Sequence, residues 1–180
     1  QLSGETQRAI AIMERNGYDK LNQEGIRTNG NSALRVNILV CTENEYKLAV
    51  AETVKKSLED LGFGVTITEK ATLGEFKLAL SQGHFGLYIG ETCLSYDYNL
   101  GEFFSSGGEL SYGIDDTFFT EYESYKNGID STMTFVESFE TEVPFIPLFY
   151  RKAVISVNPN ITGVDEISTY YSVSDWKSSK

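Results

Sequence analysis

The feature that most constrains the fold is an alternation of strand-like and helix-like segments between residues 33 and 90. Residues 33–42, ALRVNILVCT, have an apolar, β-branched centre that indicates a strand covered on both faces. Residues 63–70, FGVTITEK, alternate as a second strand, and residues 84–90, HFGLYIG, predict a third. Because helical crossovers join parallel strands, this order predicts an α/β fold with a mainly parallel sheet flanked by helices.

Each of the two helices between these strands carries a start signal. Thr42 and Glu45 form a capping-box pattern before the first helix, and Gly62 provides its stop. Thr72 and Glu75 repeat the capping-box pattern before the second helix. The predicted inward faces are Tyr46, Val50, Val54, Leu58 and Leu61 in the first helix, and Phe76, Ala79 and Leu80 in the second.

The chain before the first strand divides into a helical pattern and a polar stretch. Residues 5–16 carry apolar side chains at helical spacing and end at a glycine. Residues 17–33, GYDKLNQEGIRTNGNSA, show no periodicity and predict a loop. The sequence around Gly25 invites comparison with a calcium loop, but Lys20 and Asn31 stand at two of its ligand positions, so we predict no calcium site there.

Beyond residue 90 the pattern changes to an aromatic and glycine-rich stretch, residues 91–116, that is too long for an ordinary loop. Two helices are predicted after it, with Asp115 and Asp130 as their caps. Their predicted apolar positions are Phe118, Phe119, Tyr122 and Tyr125 in one helix, and Phe135, Val136 and Phe139 in the other.

Two of the three prolines, Pro144 and Pro147, follow the last helical pattern directly. Proline lacks a backbone donor, so the pair predicts the end of that helix and an extended chain leading into LFYRKAVISV, residues 148–157. This segment is the predicted C-terminal strand that is added to the sheet. Residues 167–173, ISTYYSV, are the other strand-like segment in the tail.

The charge balance narrows the choice of partners. The chain has 26 acidic and 15 basic residues, a net charge of −11, so nucleic acids and anionic membranes would be repelled over most of the surface. No apolar run reaches the roughly 18 residues of a membrane-spanning helix. Residues 1–10 lack the basic and apolar regions of a signal peptide, so we expect any export signal to lie upstream. Cys41 and Cys93 have no metal-ligand spacing, and we predict that both are small, buried apolar side chains.

The candidate ligand-binding segment lies just beyond the third predicted strand, where open α/β sheets generally bind ligands. Tyr96 and Tyr98 offer flat apolar faces with hydroxyl groups, while Asp97 and Glu91 can meet a cationic group such as a peptide amine. The predicted ligand-binding residues are Glu91, Tyr96, Asp97, Tyr98 and Asn99. The alternative interpretation is an aromatic cluster that packs the loop, with its carboxylates in solvent.

The sequence does not favour an enzyme. His84 is the only histidine, and no serine or cysteine motif accompanies it. No phosphate-binding glycine pattern and no zinc spacing occurs, so no cofactor and no metal is predicted. An α/β hydrolase or transferase is the enzymatic alternative, but the chain lacks a nucleophile elbow, and Ser95 or Cys93 would have to supply the nucleophile.

The order of the segments resembles the C-terminal lobe of the extracellular solute-binding proteins of ABC importers, the family 5 group that includes oligopeptide- and dipeptide-binding proteins. The matching segments are AIAIMERNGY (9–18), ALRVNILV (33–40), AVAETVKKSLEDLGFGVTI (49–67), FKLALSQGHFGLYIG (76–90) and VPFIPLFYRKAVISVNPNITGV (143–164). No single motif is diagnostic, but their order and spacing cover most of the 180 residues.

The resemblance implies a non-enzymatic receptor that binds a peptide or similar small solute between two lobes and delivers it to an ABC permease. Residues 1–180 would then be one domain, partnered by an N-terminal lobe of the same protein. The implied location is extracellular, as a cell-surface lipoprotein or in the periplasm. The alternative is a ligand-sensing receptor that uses the same lobe to signal through a partner.

The resemblance also points to one residue. In peptide-binding relatives, a loop after the matching strand carries an aspartate for the amino group of the peptide, within a tryptophan, acidic and aromatic pattern. Residues 96–99, YDYN, place Asp97 at the corresponding position. Glu91 stands where the family frequently has tryptophan, which is a departure from the pattern.

Overall fold

A seven-residue strand, β3 (Arg35–Cys41), is paired on both edges in the computed structural model. Its neighbours are β4 (Gly64–Lys70) and β5 (Leu87–Tyr88), in the order β4-β3-β5, and both pairings are parallel. The predicted parallel sheet is therefore confirmed. The structure describes residues 3–93, 99–150, 158–162 and 177–178.

The chain divides into two compact units, residues 1–92 and 93–180, which are described in turn. The first unit contains the parallel sheet, and the second contains most of the aromatic residues. The prediction of one domain over residues 1–180 stays a prediction. In the part of the chain that the structure describes, no helix is long and apolar enough to cross a membrane.

Helices α2 (Glu45–Asp60) and α3 (Leu73–Ser81) lie on opposite faces of the sheet. Ile38 and Val40 of β3 pack with Ala51 of α2 in one buried cluster. Leu39, whose side chain points to the other face, lines a groove together with α3. Two helical layers therefore cover the strand, as its apolar sequence predicts.

The predicted capping boxes have different outcomes. At α3 the box is confirmed: Thr72 Oγ1 accepts from the N–H of Glu75 at 3.3 Å, and the Glu75 carboxylate accepts from the N–H of Thr72 at 3.3 Å. At α2 the prediction is wrong, because the N-cap is Asn44. The Thr42 N–H donates to the carbonyl of Lys70 at 2.9 Å, so Thr42 continues the pairing of β3 with β4.

The inward face of α2 is centred on Ala51, with Leu48, Val54 and Leu58 packed around it. Val54 and Leu58 were predicted on this face, and Leu48 was not. The helix ends before Gly62, as predicted. The backbone of Gly62 has a φ of +91°, a left-handed conformation that favours glycine. A Cβ at Gly62 would also lie 2.8 Å from Cγ of Arg27.

The N-terminal region contains a hairpin that the sequence does not predict. Helix α1 (Gly4–Arg15) begins and ends one residue earlier than the predicted range 5–16, with Ser3 as its cap. Residues 17–33, predicted as a loop, contain the antiparallel pair β1 (Lys20–Leu21) and β2 (Arg27–Thr28). Arg27, which belongs to β2, connects the hairpin to residues outside it. Its guanidinium donates to the carbonyl of Tyr18 at 3.0 Å and to that of Leu61 at 2.9 Å.

The third predicted strand is shorter than the segment HFGLYIG. β5 contains only Leu87 and Tyr88, which pair with Ile38 and Leu39. His84 lies before the strand, between α3 and β5, and is not at a strand start as predicted.

The second unit contains three helices in the described residues, α4 (Gly101–Phe104), α5 (Asp116–Lys126) and α6 (Thr132–Glu142). Asp115 caps α5 as predicted. The prediction of Asp130 as the cap of α6 is wrong by one residue, because Ser131 Oγ accepts from the N–H of Thr134 at 3.1 Å. The tail adds a short antiparallel pair, β6 (Ile161–Thr162) and β7 (Lys177–Ser178).

These helices pack around a cluster of four buried rings, the aromatic core, which consists of Phe104, Phe118, Tyr122 and Phe135. Phe104 is fully buried, and its ring lies 4.9 Å from that of Phe118 and 5.6 Å from that of Phe135. Phe119, Tyr125 and Phe139 pack against the core, as predicted. Val136 is 42% exposed and does not face inward as predicted, because it follows Phe135 and lies about 100° further round the helix.

The proline pair ends α6 as predicted. The helix stops at Glu142, and Val143 takes a left-handed conformation directly before Pro144. Phe145 then stacks on Phe103, with ring centroids 4.5 Å apart, so the turn returns an aromatic side chain to the core. Of the predicted C-terminal strand, the structure describes residues 148–150, which are exposed and do not form a strand. Residues 151–157 of that strand lie outside the described residues, and so does the other strand-like segment, 167–173.

Replacing Val143 with glycine is expected to raise the free energy of unfolding by about 0.5 kcal/mol. The left-handed backbone (φ 46°) costs a β-branched residue about 1–2 kcal/mol, which exceeds the ~0.5–1 kcal/mol that glycine costs through its freer unfolded chain. The control is Val136→Gly within α6, which should lower the free energy of unfolding by about 0.5 kcal/mol. Urea denaturation measures both variants, and a loss of stability in both would contradict the interpretation.

The cap of α5 predicts a pH-dependent stability. Hydrogen bonds from the hydroxyl and the N–H of Thr117, at 2.6 and 2.8 Å, lower the pKa of Asp115. A carboxylate with a lower pKa in the folded state stabilises the fold above its unfolded pKa, and this contribution is lost as the pH falls below about 4. Asp115→Ala should therefore be less stable than the parent at pH 7, and the difference should shrink in acid. Urea denaturation at several pH values measures this, with Asp130→Ala as the control that should change little.

Candidate functional site

The structure describes two of the five predicted ligand-binding residues, and these two belong to different units. Glu91 belongs to the first unit and follows β5, whereas Asn99 belongs to the second unit and precedes α4. Tyr96, Asp97 and Tyr98 lie outside the described residues. The structure therefore describes the surroundings of Glu91 and of Asn99, each in its own unit.

Glu91 lies at the carboxyl edge of the parallel sheet, where the direction of the chain connections reverses. The chain leaves the central strand β3 through α2 to reach β4, then crosses through α3 to β5 on the other side. The switch point is therefore between β3 and β5, and open α/β sheets bind ligands in the crevice outside such a point. Within the first unit, Glu91 follows β5 on the β5 side of this switch point, and its role in ligand binding stays a prediction.

An ion pair joins the segments that follow these two strands. Lys47 lies in the first turn of α2, and its Nζ is 3.2 Å from the Glu91 carboxylate. The Lys47 side chain is 12% exposed and that of Glu91 36%, so the pair is partly shielded from water. A cationic ligand group at Glu91 would have to compete with Lys47. The sequence analysis missed Lys47, because nothing near it in sequence indicates that it lies beside β5.

Asn99 is hydrogen-bonded to the side chain of Tyr122, a contact that the sequence does not predict. The Tyr122 hydroxyl donates to Asn99 Oδ1 at 3.1 Å and accepts from the N–H of Leu100 at 3.1 Å. Asn99 Oδ1 also accepts from the N–H of Gly101 at 2.8 Å, next to the start of α4. The Tyr122 residue is 4% exposed. The helical spacing predicted its apolar ring in the core but not the role of its hydroxyl group.

A groove of about 550 Å³ lies on the α3 side of the sheet, within the first unit. It does not include Glu91. Two of its polar side chains have partners within the first unit: Asn37 Oδ1 accepts from the Thr68 hydroxyl at 2.9 Å, and the Glu75 carboxylate accepts from the N–H of Thr72 in the cap of α3. The groove is lined by Asn37, Leu39, Thr68, Glu69, Lys70, Ala71, Glu75, Leu78, Ala79, Gln82 and His84.

The described residues offer little for a metal ion. Within residues 3–93, 99–150, 158–162 and 177–178, no group of three or more His, Cys, Asp or Glu side chains is placed to hold one. His84 lines the groove, and its backbone carbonyl accepts a hydrogen bond from the Asn37 side chain at 3.4 Å.

The sequence matches no family model and no curated protein. The structure is similar to that of NikZ from Campylobacter jejuni in complex with Ni(L-His), with a TM-score of 0.59 and 14% identity over 77% of this chain and 30% of NikZ. Lactococcal OppA complexed with an endogenous peptide in the closed conformation matches with a TM-score of 0.49 and 15% identity, over 75% of this chain and 26% of OppA.

The chain thus spans about a third of the length of NikZ. At 14% identity the likeness establishes the fold. The predicted α/β fold, with a mainly parallel sheet flanked by helices, is thereby confirmed. The resemblance inferred from the order of the segments is confirmed at the level of the fold.

Proposed function

We propose that the chain is part of the solute-binding component of an ABC importer, which binds a peptide or similar small solute and delivers it to a permease. The observation that supports this most directly is the likeness to NikZ over 77% of the chain. The proposed role is binding without chemistry on the solute, outside the cytoplasm, at the cell surface or in the periplasm.

The proposed site is completed by another lobe of the same protein. The match with NikZ covers 30% of that protein, so most of the NikZ chain has no counterpart here. A run of exposed apolar side chains after α6 also supports a covering partner, because such runs are uncommon on a free surface. Its members are Ile146, Leu148, Phe149 and Tyr150, and Tyr150 is 89% exposed.

A peptide is the favoured solute because of the chemistry of residues 96–98. Asp97 would pair with the ammonium of the peptide, and Tyr96 and Tyr98 would offer flat faces with hydroxyl groups. Two closed lobes would shield the pair from water and strengthen it. Glu91 and Asn99 would flank this group in sequence.

Calorimetry with alanine peptides of two to five residues tests the proposal. We expect the complete polypeptide that the gene encodes to bind at least one of them, about tenfold or more tighter than the 180-residue chain alone. Closure between two lobes would supply the difference. Equally tight binding by the 180-residue chain would contradict the need for a second lobe, and absence of binding by both would contradict a peptide ligand.

Asp97→Asn in the complete polypeptide tests the proposed ammonium contact. The substitution keeps the shape of the side chain but removes its charge, so it should weaken binding of the free-amine peptide by about tenfold or more. The N-acetylated form of the same peptide has no ammonium and should lose much less. Equal losses of affinity for the two peptides would contradict a contact between Asp97 and the ammonium.

A further inference from the structure

The sequence contains three Asn-Gly pairs, at residues 16–17, 29–30 and 127–128. Asparagine before glycine is prone to deamidation, because glycine has no side chain to keep its backbone nitrogen away from the asparagine amide. We infer that Asn29 is the asparagine that this fold deamidates, and that the hairpin of the first unit supplies the groups that promote the reaction. The inference is independent of the proposed function.

Exposure and glycine conformation do not distinguish the three pairs. All three asparagines are exposed, and the glycines at positions 17, 30 and 128 have φ values of +89°, +90° and +70°. The pairs differ in their hydrogen bonds. Selection among them therefore comes from the contacts of the asparagine amide and of the glycine N–H.

The side-chain carbonyl of Asn29 is held by donors from the turn that follows it. Asn29 Oδ1 accepts from the N–H of Asn31 at 3.0 Å and from the N–H of Ser32 at 2.9 Å. When a nucleophile attacks Cγ, an electron pair of the carbonyl moves to Oδ1. Two backbone N–H groups that already point at this oxygen stabilise the negative charge. The turn therefore provides an oxyanion hole at Asn29.

The nucleophile is the backbone nitrogen of Gly30, the next residue in the chain. Its N–H donates to the hydroxyl of Thr28 at 3.0 Å, and that hydroxyl donates to the carbonyl of Ser32 at 2.8 Å. A hydroxyl group can accept one proton and release its own, so Thr28 can pass the Gly30 proton on to water. Because the nitrogen and the amide belong to adjacent residues, the attack is intramolecular.

The reaction needs water as a co-reactant, and no carbon is oxidised or reduced. The Gly30 nitrogen loses its proton and forms a bond to Cγ of Asn29. The Cγ–Nδ2 bond breaks, and the amide nitrogen takes up a proton and leaves as ammonia, so that a five-membered succinimide remains. Water then adds to one of the two succinimide carbonyl carbons and opens the ring, which leaves aspartate or isoaspartate at position 29.

The other two pairs lie at helix ends, where the glycine N–H is bound to the backbone. The Gly17 N–H donates to the carbonyl of Glu14 and the Gly128 N–H to that of Tyr125, each at 3.0 Å. A backbone carbonyl has no proton to release and cannot pass one on. At position 16, the asparagine Nδ2 also donates to the carbonyl of Ile12 at 2.8 Å, which directs this side chain back along α1 and away from the glycine nitrogen.

The two products affect the hairpin differently. Aspartate keeps the length of the backbone, and its carboxylate can accept from the same two N–H groups. Isoaspartate inserts a methylene group into the main chain between Thr28 and Ala33, which form an antiparallel bridge. The isoaspartate form should therefore lose that bridge.

Mass spectrometry of tryptic peptides tests the inference, because trypsin separates the three pairs. Cleavage after Arg15, Arg27 and Lys126 places each asparagine in a different peptide. The complete polypeptide that the gene encodes is incubated in mildly alkaline buffer, once folded and once unfolded in urea. The mass change from amide to acid is followed in each peptide over time, and fragmentation distinguishes Asn29 from Asn31.

A substitution at Thr28 tests the role of its hydroxyl group. Thr28→Val removes the hydroxyl and keeps the shape of the side chain. The matched control is Thr66→Val, which makes the same change at an exposed position in β4 of the same unit. The comparison of the three asparagines uses the parent alone, so it holds even where Thr28→Val unfolds the hairpin.

We expect Asn29 in the folded parent to deamidate about tenfold faster than either of the other two asparagines. In urea the three rates should agree within about twofold, because the oxyanion hole is lost and each asparagine precedes glycine. Thr28→Val should slow the reaction at Asn29 about fivefold and leave the other two asparagines unchanged. Thr66→Val should change none of the three rates.

Each contrary outcome has its own meaning. If the three folded rates are equal, or if Asn29 is the slowest, the inference is overturned. If Asn29 is fastest in urea as well, the neighbouring sequence and not the hairpin selects it, which also overturns the inference. If Thr28→Val keeps the rate of the parent, the role of Thr28 is refuted. None of these results bears on solute binding, so the proposed function is tested separately.

Discussion

The parallel pairing of β3 with β4 and β5 is the constraint on which the first unit depends. β3 is the central strand, and Ile38, Leu39 and Val40 have no exposed surface, so both of its faces must be covered. A parallel neighbour can be reached only through a crossover, which places α2 and α3 on opposite faces. The same connections bring the start of α2 beside the end of β5. The ion pair of Lys47 with Glu91 is therefore a consequence of the sheet order.

The second unit depends on a different kind of interaction, the packing of aromatic rings around Phe104. Six other rings have centroids within 6.5 Å of this one, at angles from stacked to edge-on. Such packing is directional, and it fixes the side chain of Tyr122 so that its hydroxyl can bind the backbone beside Asn99. The ring packing and the hydrogen bonds at the start of α4 are thus linked through a single hydroxyl group.

Much of the fold follows from neighbouring residues in sequence. Thr72 and Glu75 are three residues apart, and their capping box forms as predicted. The same pattern at Thr42 and Glu45 fails, because Thr42 is still bonded to Lys70 of the adjacent strand. The hairpin in residues 17–33 was missed for a similar reason: Arg27 donates hydrogen bonds to the carbonyl groups of Tyr18 and Leu61, and Leu61 lies 34 residues further along the chain. For the candidate site, the sequence did not predict the partners of Glu91 and Asn99, and the site itself stays a prediction.

The sequence by itself determined the strands of the parallel sheet, the helices other than α4, the caps of α3 and α5, and the core positions of Phe118, Tyr122 and Phe135, because all of these depend on periodicity and on contacts within one turn. Only the tertiary structure decided that Lys47 meets Glu91 and that the Tyr122 hydroxyl meets Asn99. Each pair joins residues from different elements, so their distance depends on how those elements pack. Local pattern carries no information about that distance.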